Sequence, residues 1–297
     1  MVYSFTQRSG VGRQLRGIAG EQIGKAVVDC AKSEDFVATV HSLRRRCKRL
    51  RGLLRLVRPQ FAGYGEENAA FRDAAALLSG SRDAAVMAET FERLCGGGSP
   101  PLAAETRDRI RQRLAAHAAQ VAEGTEPAAM LGAFARRMHE AEARLKRWRI
   151  DGSGFASLAP GLARGYRDLS GRMRVAMASP GAESFHAWRK AVKYHGHHVS
   201  LFRRCAPDLL EGRIDLLDRL GELLGDHHNL AVLLAWTERN AAGLPPSDRQ
   251  GLAEAVRAEQ ADLAGRAFAL GPQLSAEPVD GLVERFRALW ALLPKEA

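Results

Sequence analysis

Cysteine and long apolar runs are both scarce in this sequence. The four cysteines lie at positions 30, 47, 95 and 205 of 297 residues, and none belongs to a CxxC pair. This spacing excludes a disulfide framework or a zinc ribbon and is typical of reduced thiols in a cytoplasm. No window contains the roughly 18 consecutive apolar residues of a membrane span, and the N-terminus lacks an apolar secretory segment. We therefore expect a soluble, cytoplasmic protein without membrane insertion.

Aromatic residues and strand signals are also scarce. Aromatics make up 6% of the chain, and in the two basic segments described below they occupy apolar positions. Proteins that read unpaired bases place aromatic side chains among their cations, so single-strand recognition is disfavoured. Alanine, leucine, arginine and glutamate fill long windows between short Gly or Pro breaks, which favours helices. The predicted fold class is all-α.

Acidic residues are outnumbered, and from residue 41 to residue 58 they are missing altogether. The chain has 44 Lys and Arg against 34 Asp and Glu, a formal net charge of +10. The 41–58 segment holds eight Lys or Arg. Like charges at helical i,i+4 spacing repel by about 0.2–0.5 kcal/mol per pair, so an ordinary helix intersperses opposite charges. The composition predicts a polyanionic partner.

This basic segment carries two parallel rows at helical spacing, and a later segment repeats them. The apolar row of the first segment is Val40, Leu43, Cys47, Leu50, Leu54 and Val57. One residue further on lies its basic row: His41, Arg44, Lys48, Arg51, Arg55 and Arg58. The second segment has the apolar row Phe185, Trp188, Val192, His195, Val199 and Phe202, and the basic row His186, Arg189, Lys193 and Arg203. Each basic row is turned about 100° from its apolar row, which puts the cations at the edge of the packing surface.

The offset between the segments indicates an internal duplication. His41 and His186 are 145 residues apart, and Leu77 and Leu223 are 146 apart. A Gly-rich break at 151–154 divides the chain into halves 1–150 and 151–297, which we interpret as two helical bundles of a single domain, 1–297. A pseudo-twofold axis would bring the two basic segments to one shared groove.

The repeated segments resemble the paired signatures of the CHAD domain, the conserved histidine α-helical domain. The signature residues are His41, Arg44, Arg45, Lys48 and Arg51 in the first copy, and His186, Arg189, Lys190 and Lys193 in the second. Supporting segments follow in the family's order: Arg13-x-x-Arg16, 78–83 with Arg82, Arg164-x-Tyr166-Arg167, and 224–229 with His228. The resemblance covers essentially the whole chain.

The resemblance implies two pseudo-symmetric four-helix bundles that enclose a basic central cavity, bind inorganic polyphosphate and perform no catalysis. The predicted polyphosphate-binding residues are Arg13, Arg16, His41, Arg44, Arg45, Lys48, Arg51, Arg55, Arg82, Arg164, Arg167, His186, Arg189, Lys190, Lys193, His197 and His228. His41 and His186 have an equal alternative as structural histidines. We expect no catalytic residue, metal or cofactor, and an association with polyphosphate granules.

The second copy departs from the first. Gly196 and Ser200 stand where Arg51 and Arg55 stand in the first copy, and Asn229 replaces a usual acid. The second row is therefore poorer in cations, and His197 would compensate only in part. Glu140-x-Glu142 superficially resembles the glutamate motif of a hydrolase domain fused to some relatives, but it lies in a helical run.

Two other functions compete with polyphosphate binding. Binding to the backbone of duplex nucleic acid is the second hypothesis, because net charge alone does not select the polyanion. The third is a metal-dependent phosphohydrolase, suggested by a group of histidines: His195, His197, His198, His227 and His228. Metal sites in helical bundles usually add inward carboxylates as Glu-x-x-His pairs, and neither basic segment offers that pattern.

Overall fold

Every regular element that the computed structural model describes is helical, which confirms the predicted class. The model describes residues 3–78, 80–97, 102–124, 126–240 and 244–295, with only the backbone of 80–83. The α-helices are α1 (Val11–Ala31), α2 (Phe36–Val57), α3 (Tyr64–Ala76), α4 (Gly80–Gly96), α5 (Ala104–Glu123), α6 (Pro127–Leu145), α7 (Ala159–Ala178), α8 (Ala182–Leu201), α9 (Pro207–Arg239), α10 (Pro246–Ser275) and α11 (Val279–Trp290). Short 3₁₀ turns lie at Arg58–Gln60, Gly154–Ser157 and Arg203–Cys205.

The two basic segments form α2 and α8, and local sequence sets their ends. Asp35 caps α2, since its side chain accepts hydrogen bonds from the backbone N–H groups of Val37 and Ala38. Such a cap stabilises a helix by about 1 kcal/mol. Pro59 sits in the 3₁₀ turn that ends α2, and α8 begins directly after Pro180 and Gly181. Residues that favour a helix boundary therefore lie at both ends of α2 and at the start of α8.

The break in the middle of the chain is a turn that requires glycine. Gly152 and Gly154 have φ angles of 78° and 53°, in the left-handed region where a Cβ would be strained. Helix α6 precedes this turn and contains Glu140 and Glu142, as the helical interpretation of that segment predicted. The adjacent Arg144 donates two hydrogen bonds, of 2.9 and 3.1 Å, to the buried Glu67 of α3.

The helices pack into two neighbouring groups. In the first, α1 packs on α2 and α6, and α3 packs on α2 and α6. In the second, α7, α8, α9 and α10 pack in sequence, α10 returns to α7, and α11 lies on α7. Helix α2 packs on both α7 and α8, so the two groups meet along it. One hydrophobic core runs through both groups, from Tyr3 to Leu293.

Helices α4 and α5 complete a second, smaller core with α10 and the C-terminal part of α9. Phe91 and Ile110, from these helices, are buried with Leu233 of α9 and Leu252 of α10. Residues from both sides of the central turn therefore share this core as well. Within the described ranges, no helix is long and apolar enough to cross a membrane.

Candidate functional site

The basic row of α2 lies along the edge of its buried apolar row. Val40, Leu43, Cys47, Leu50, Leu54 and Val57 are at most 1% exposed, which confirms the predicted core face. The cations that follow them in sequence are therefore held at the boundary between core and solvent. Arg44, Arg51 and Arg55 are half-buried, whereas His41, Arg45, Lys48 and Arg58 are exposed.

Two arginines of this row donate hydrogen bonds to neutral acceptors on α3. The Nη1 of Arg44 donates to the carbonyl oxygen of Ala75 at 3.2 Å, and the Nε of Arg51 donates to the Oδ1 of Asn68 at 3.1 Å. The Nε of Arg44 is buried without a hydrogen-bond partner among the described residues. Because these acceptors carry no charge, they position the guanidinium groups without forming an ion pair.

The basic row of α8 lies on α9 in a similar way, over two glycines. A Cβ at Gly221 would come within 2.5 Å of the Cε of Lys193, and one at Gly225 within 3.5 Å of the Nε of Arg189. The spacing of these glycines, four residues apart, gives both cations a surface to lie on. Lys193 also approaches Asp218, with an Nζ–Oδ1 distance of 3.5 Å. Its charge is thus partly compensated by an ion pair, whereas the hydrogen bond of Arg51 goes to a neutral amide.

The two basic helices cross at Gly52 of α2 and His197 of α8. A Cβ at Gly52 would lie 2.7 Å from the Cβ of His197, so only glycine allows this approach. The His197 ring also meets the Tyr3 ring edge-on, with centroids 6.2 Å apart. Burial lowers the pKa of His197 to about 3, and the nearby charges of Arg49, Lys193 and Lys48 lower it further. His197 is therefore a neutral packing residue at the point where the two rows converge.

A pair of histidines lies further along α8, beside Arg189. The rings of His186 on α8 and His228 on α9 are 4.3 Å apart between centroids. Burial lowers the pKa of His228 to about 4, with contributions from His186 and Arg189. Burial also lowers the pKa of His186, as do Lys190, which is exposed, and Arg189. Both rings are neutral at pH 7, and a bound anion would favour their protonation.

At the other end of the α2 row, cations from α2 and α7 line a small pocket. This pocket, here called the α7 pocket, has a volume of about 30 Å³. Its lining residues are Arg55, Arg58, Gly161, Arg164, Gly165, Asp168, Ala191, Tyr194 and His198. The Cζ of Arg55 lies 4.1 Å from the centroid of the Tyr194 ring, a cation–π contact between α2 and α8.

Other predicted residues lie away from these cations. Arg16 donates from Nη1 to the carbonyl of Trp148 at 3.0 Å and so holds the chain after α6. Arg13 and Arg167 are exposed on α1 and α7 and line neither the α2–α8 crossing nor the α7 pocket. Arg203 follows α8 and pairs with Glu211. Arg82 lies outside the described side chains.

Sequence periodicity did not identify Tyr194 and Gly221. Tyr194 belongs to neither row of α8, so helical spacing contains no signal for its contact with Arg55. Gly221 stands four residues before Gly225 in the 220–226 segment LGELLGD, and this spacing could have indicated a groove on α9.

Two further histidines of the predicted metal group are core residues. His195 and His198 are at most 1% exposed, and burial lowers the pKa of both, that of His198 to about 3. The Nε2 of His195 is 3.5 Å from the Nη2 of Arg213. Within the described residues, no three His, Cys, Asp or Glu side chains come together in a way that could hold a metal ion.

Comparison with known proteins identifies this arrangement of helices. The fold is similar to the crystal structure of the CHAD domain from the plant Ricinus communis, with a TM-score of 0.51 and 19% identity, covering 97% of this chain and 94% of the other. It is also similar to PptA from Streptomyces chartreusis, with a TM-score of 0.57 and 16% identity, covering 88% of this chain and 99% of that one. No curated protein matched. The family model of the CHAD domain matches residues 21–238, and this chain therefore belongs to the CHAD-domain family.

Proposed function

We propose that this protein binds inorganic polyphosphate without catalysis, along a groove formed by the basic rows of α2 and α8. The observation that supports it most strongly is the way the α2 arginines are held. Arg44 and Arg51 are anchored on a carbonyl and an amide oxygen, so neither anchoring hydrogen bond is an ion pair. Fork-shaped guanidinium groups held in this manner suit the oxygens of successive phosphates, with which they form charge-assisted hydrogen bonds.

The second row supports the same proposal from α8. Lys193 and Arg189 rest on the glycine face of α9, and Lys48 and Lys193 both act on His197 at the crossing. The cations of the two helices thus approach each other where α2 and α8 meet. In this proposal the halves 1–150 and 151–297 arose by duplication. Helices α1, α2, α3 and α6 form one four-helix bundle, α7, α8, α9 and α10 form the other, and the crossing is the centre of their shared basic cavity.

The side chains that line this groove suit the binding of a polyanion. They are guanidinium and ammonium groups, neutral imidazoles and glycine backbone, and Asp218, which lies beside Lys193, carries a neighbouring carboxylate. In the proposed role the protein attaches itself to polyphosphate and would be found in the cytoplasm at polyphosphate granules. Each charge-assisted hydrogen bond lost should cost about 1.5–3 kcal/mol of binding free energy before screening.

The decisive experiment is competition for labelled long-chain polyphosphate. Unlabelled polyphosphate should displace the label at phosphate concentrations where duplex DNA does little, because a groove between two helices is too narrow for a duplex. Salt dependence alone does not discriminate, since every polyanion complex weakens with salt. The double variant R44Q/R51Q should lose affinity by at least tenfold. The control R249Q/R257Q removes two exposed arginines of α10 and should bind like the unmodified protein.

Two outcomes would replace this proposal. Equal displacement by duplex DNA would identify the groove as a general nucleic-acid surface. Release of phosphate that depends on Mg²⁺, Mn²⁺ or Zn²⁺ and disappears in a His195, His198 or His228 variant would indicate a phosphohydrolase.

A further inference from the structure

The proposed binding of polyphosphate along the α2 and α8 rows does not explain the features of the α7 pocket. This pocket lies at the C-terminal end of the α2 row, where Arg55 follows Arg51 by one helical turn. Three arginines surround it: Arg55 of α2, Arg58 of the 3₁₀ turn after α2, and Arg164 of α7. They outnumber the one carboxylate, that of Asp168. The pocket is therefore positively charged and continuous with the basic row of α2.

The floor of the pocket is closed by helix packing. A Cβ at Gly161 of α7 would lie 1.7 Å from the carbonyl oxygen of Leu56, so the backbones of α7 and α2 touch there. A Cβ at Gly165 would lie 2.6 Å from the Nδ1 of His198, so this glycine keeps the space open above the ring. An interior unit of a polymer has a chain segment on each side, so its site must be open at two points. A pocket with a closed floor accepts only the end of a chain.

The polar atoms at this floor lack partners. The Nδ1 of His198, which is 1% exposed, and the Nε of Arg55 are buried and have no hydrogen-bond partner among the described residues. Leaving such groups unsatisfied is costly, which indicates a polar occupant. The volume of about 30 Å³ is enough for about two water-sized groups. Two oxygens of one phosphoryl group have this size.

The chemistry of a chain end matches these atoms better than an interior unit. Burial keeps the His198 ring neutral at pH 7, because it lowers the pKa of the ring to about 3. In the neutral ring, Nδ1 is either an N–H donor or a bare acceptor nitrogen, depending on the tautomer. A terminal phosphoryl group has an ionisable OH with a second pKa of about 6, as well as bare oxygens, so it complements either form. It also carries more negative charge than an interior phosphate.

We infer that the α7 pocket binds the terminal phosphoryl group of a polyphosphate chain, so that this protein recognises chain ends as well as chain length. Arg55, Arg58 and Arg164 hold the terminal oxygens, and His198 shares a proton with one of them. The inference rests on the proposed polyphosphate binding, and it adds a fixed starting point from which the chain follows the α2 row towards Arg44.

The test compares polyphosphate of one length with free ends and with both ends capped as phosphoramidates by a small amine. Capping replaces the ionisable oxygen and adds bulk, so the capped chain should bind roughly tenfold more weakly, equivalent to the loss of one charge-assisted contact. Equal binding of both chains would overturn the inference and leave the proposed function intact. Binding of neither chain would refute the proposed function itself.

Two matched arginine variants test whether the α7 pocket causes the difference in affinity between free-ended and capped chains. R164Q removes an exposed arginine of the pocket and should reduce the ratio between free-ended and capped affinities to about one. R172Q removes an exposed arginine two turns later on the same helix and should keep the full ratio. Thermal melts of both variants report folding. An unchanged ratio in R164Q would contradict the assignment, and displacement of the polymer by micromolar orthophosphate would identify free phosphate as the occupant instead.

Discussion

At the scale of single residues, the two basic rows differ in how each cation is held. Arg51 is fixed by the amide oxygen of Asn68, whereas Lys193 shares its charge with Asp218. Arginine also presents a planar fork to phosphate, and lysine presents a mobile point charge. The contribution of a cation to binding should therefore depend on its neighbour as much as on its place in the row.

Replacing Arg51 should weaken polyphosphate binding more than replacing Lys193. Arg51→Gln removes a guanidinium group that is held by a neutral amide and should reduce affinity by about tenfold or more, since a hydrogen bond to a charged group contributes about 1.5–3 kcal/mol. Lys193→Gln also releases Asp218 from a partly exposed pair, and such pairs are worth at most about 1 kcal/mol. Titration of labelled polyphosphate measures both, with Arg46→Gln, which pairs with Asp29, as the control. Equal losses of affinity in the two variants would mean that the basic rows of α2 and α8 contribute alike to binding.

At the scale of helices, glycines decide how closely the basic elements approach. Gly52 admits His197 at the α2–α8 crossing, Gly161 admits the backbone of α2, and Gly221 accommodates Lys193. The atoms next to these glycines differ in how easily they can move away from an added Cβ. At Gly221 the neighbour is the end of a flexible side chain, whereas at Gly161 it is a backbone carbonyl. Glycine at 161 is therefore a requirement of the fold.

Gly161→Ala should destabilise the protein strongly. Its Cβ would lie 1.7 Å from the Leu56 carbonyl oxygen, so α7 must move away from α2, at a cost of roughly 1–3 kcal/mol or more. Gly171→Ala on the same helix is the matched control, because no atom lies within 4 Å of the added Cβ. That control should be neutral or stabilising by up to about 1 kcal/mol, through better helix propensity. Chemical denaturation compares the two, and similar stabilities would contradict the close contact.

At the scale of the whole molecule, neutral histidines are built into the core along α8 and α9. His195, His198 and His227 are buried, and burial lowers the pKa of each, to about 3 for His198 and about 4 for His227. In the unfolded chain the same side chains titrate near 6.5. Below about pH 7 the unfolded state therefore binds more protons than the folded state.

The free energy of unfolding should consequently fall as the pH decreases from about 7 towards 4. Linkage requires stability to rise with pH wherever the unfolded state binds more protons, so stability is highest above the unfolded pKa. At pH 5 each fully buried histidine should cost on the order of 2 kcal/mol relative to pH 8. Urea denaturation at pH 8, 6.5 and 5 measures the trend.

A pair of variants assigns this trend to the buried rings. His227→Gln should make the pH dependence shallower, since it removes one of the titrating groups. His139→Gln, at an exposed position on α6, should leave the dependence unchanged. Equal stability at pH 8 and pH 5 would show that the histidines stay accessible to protons in the folded state.

Much of this organisation was determined by sequence alone, because it is local. The spacing of Val40, Leu43 and Cys47 predicted both a helix and its buried face, and the side chains one position later had to be cations at its edge. Asp35 and Pro59 set the ends of that helix, since capping and the loss of an N–H act within one turn. The all-α class followed from the same regularities.

Only the tertiary structure decided which cations share a surface. Arg16 and Arg164 are both arginines of family-like segments, yet one is tied to the Trp148 carbonyl and the other joins Arg55 and Arg58 at the α7 pocket. His197 packs into the crossing against Gly52, whereas the sequence suggested that it would compensate in part for the cation missing at Gly196. The physical reason is that a period defines the face of one helix, whereas the partner of that face depends on contacts between residues more than a hundred positions apart.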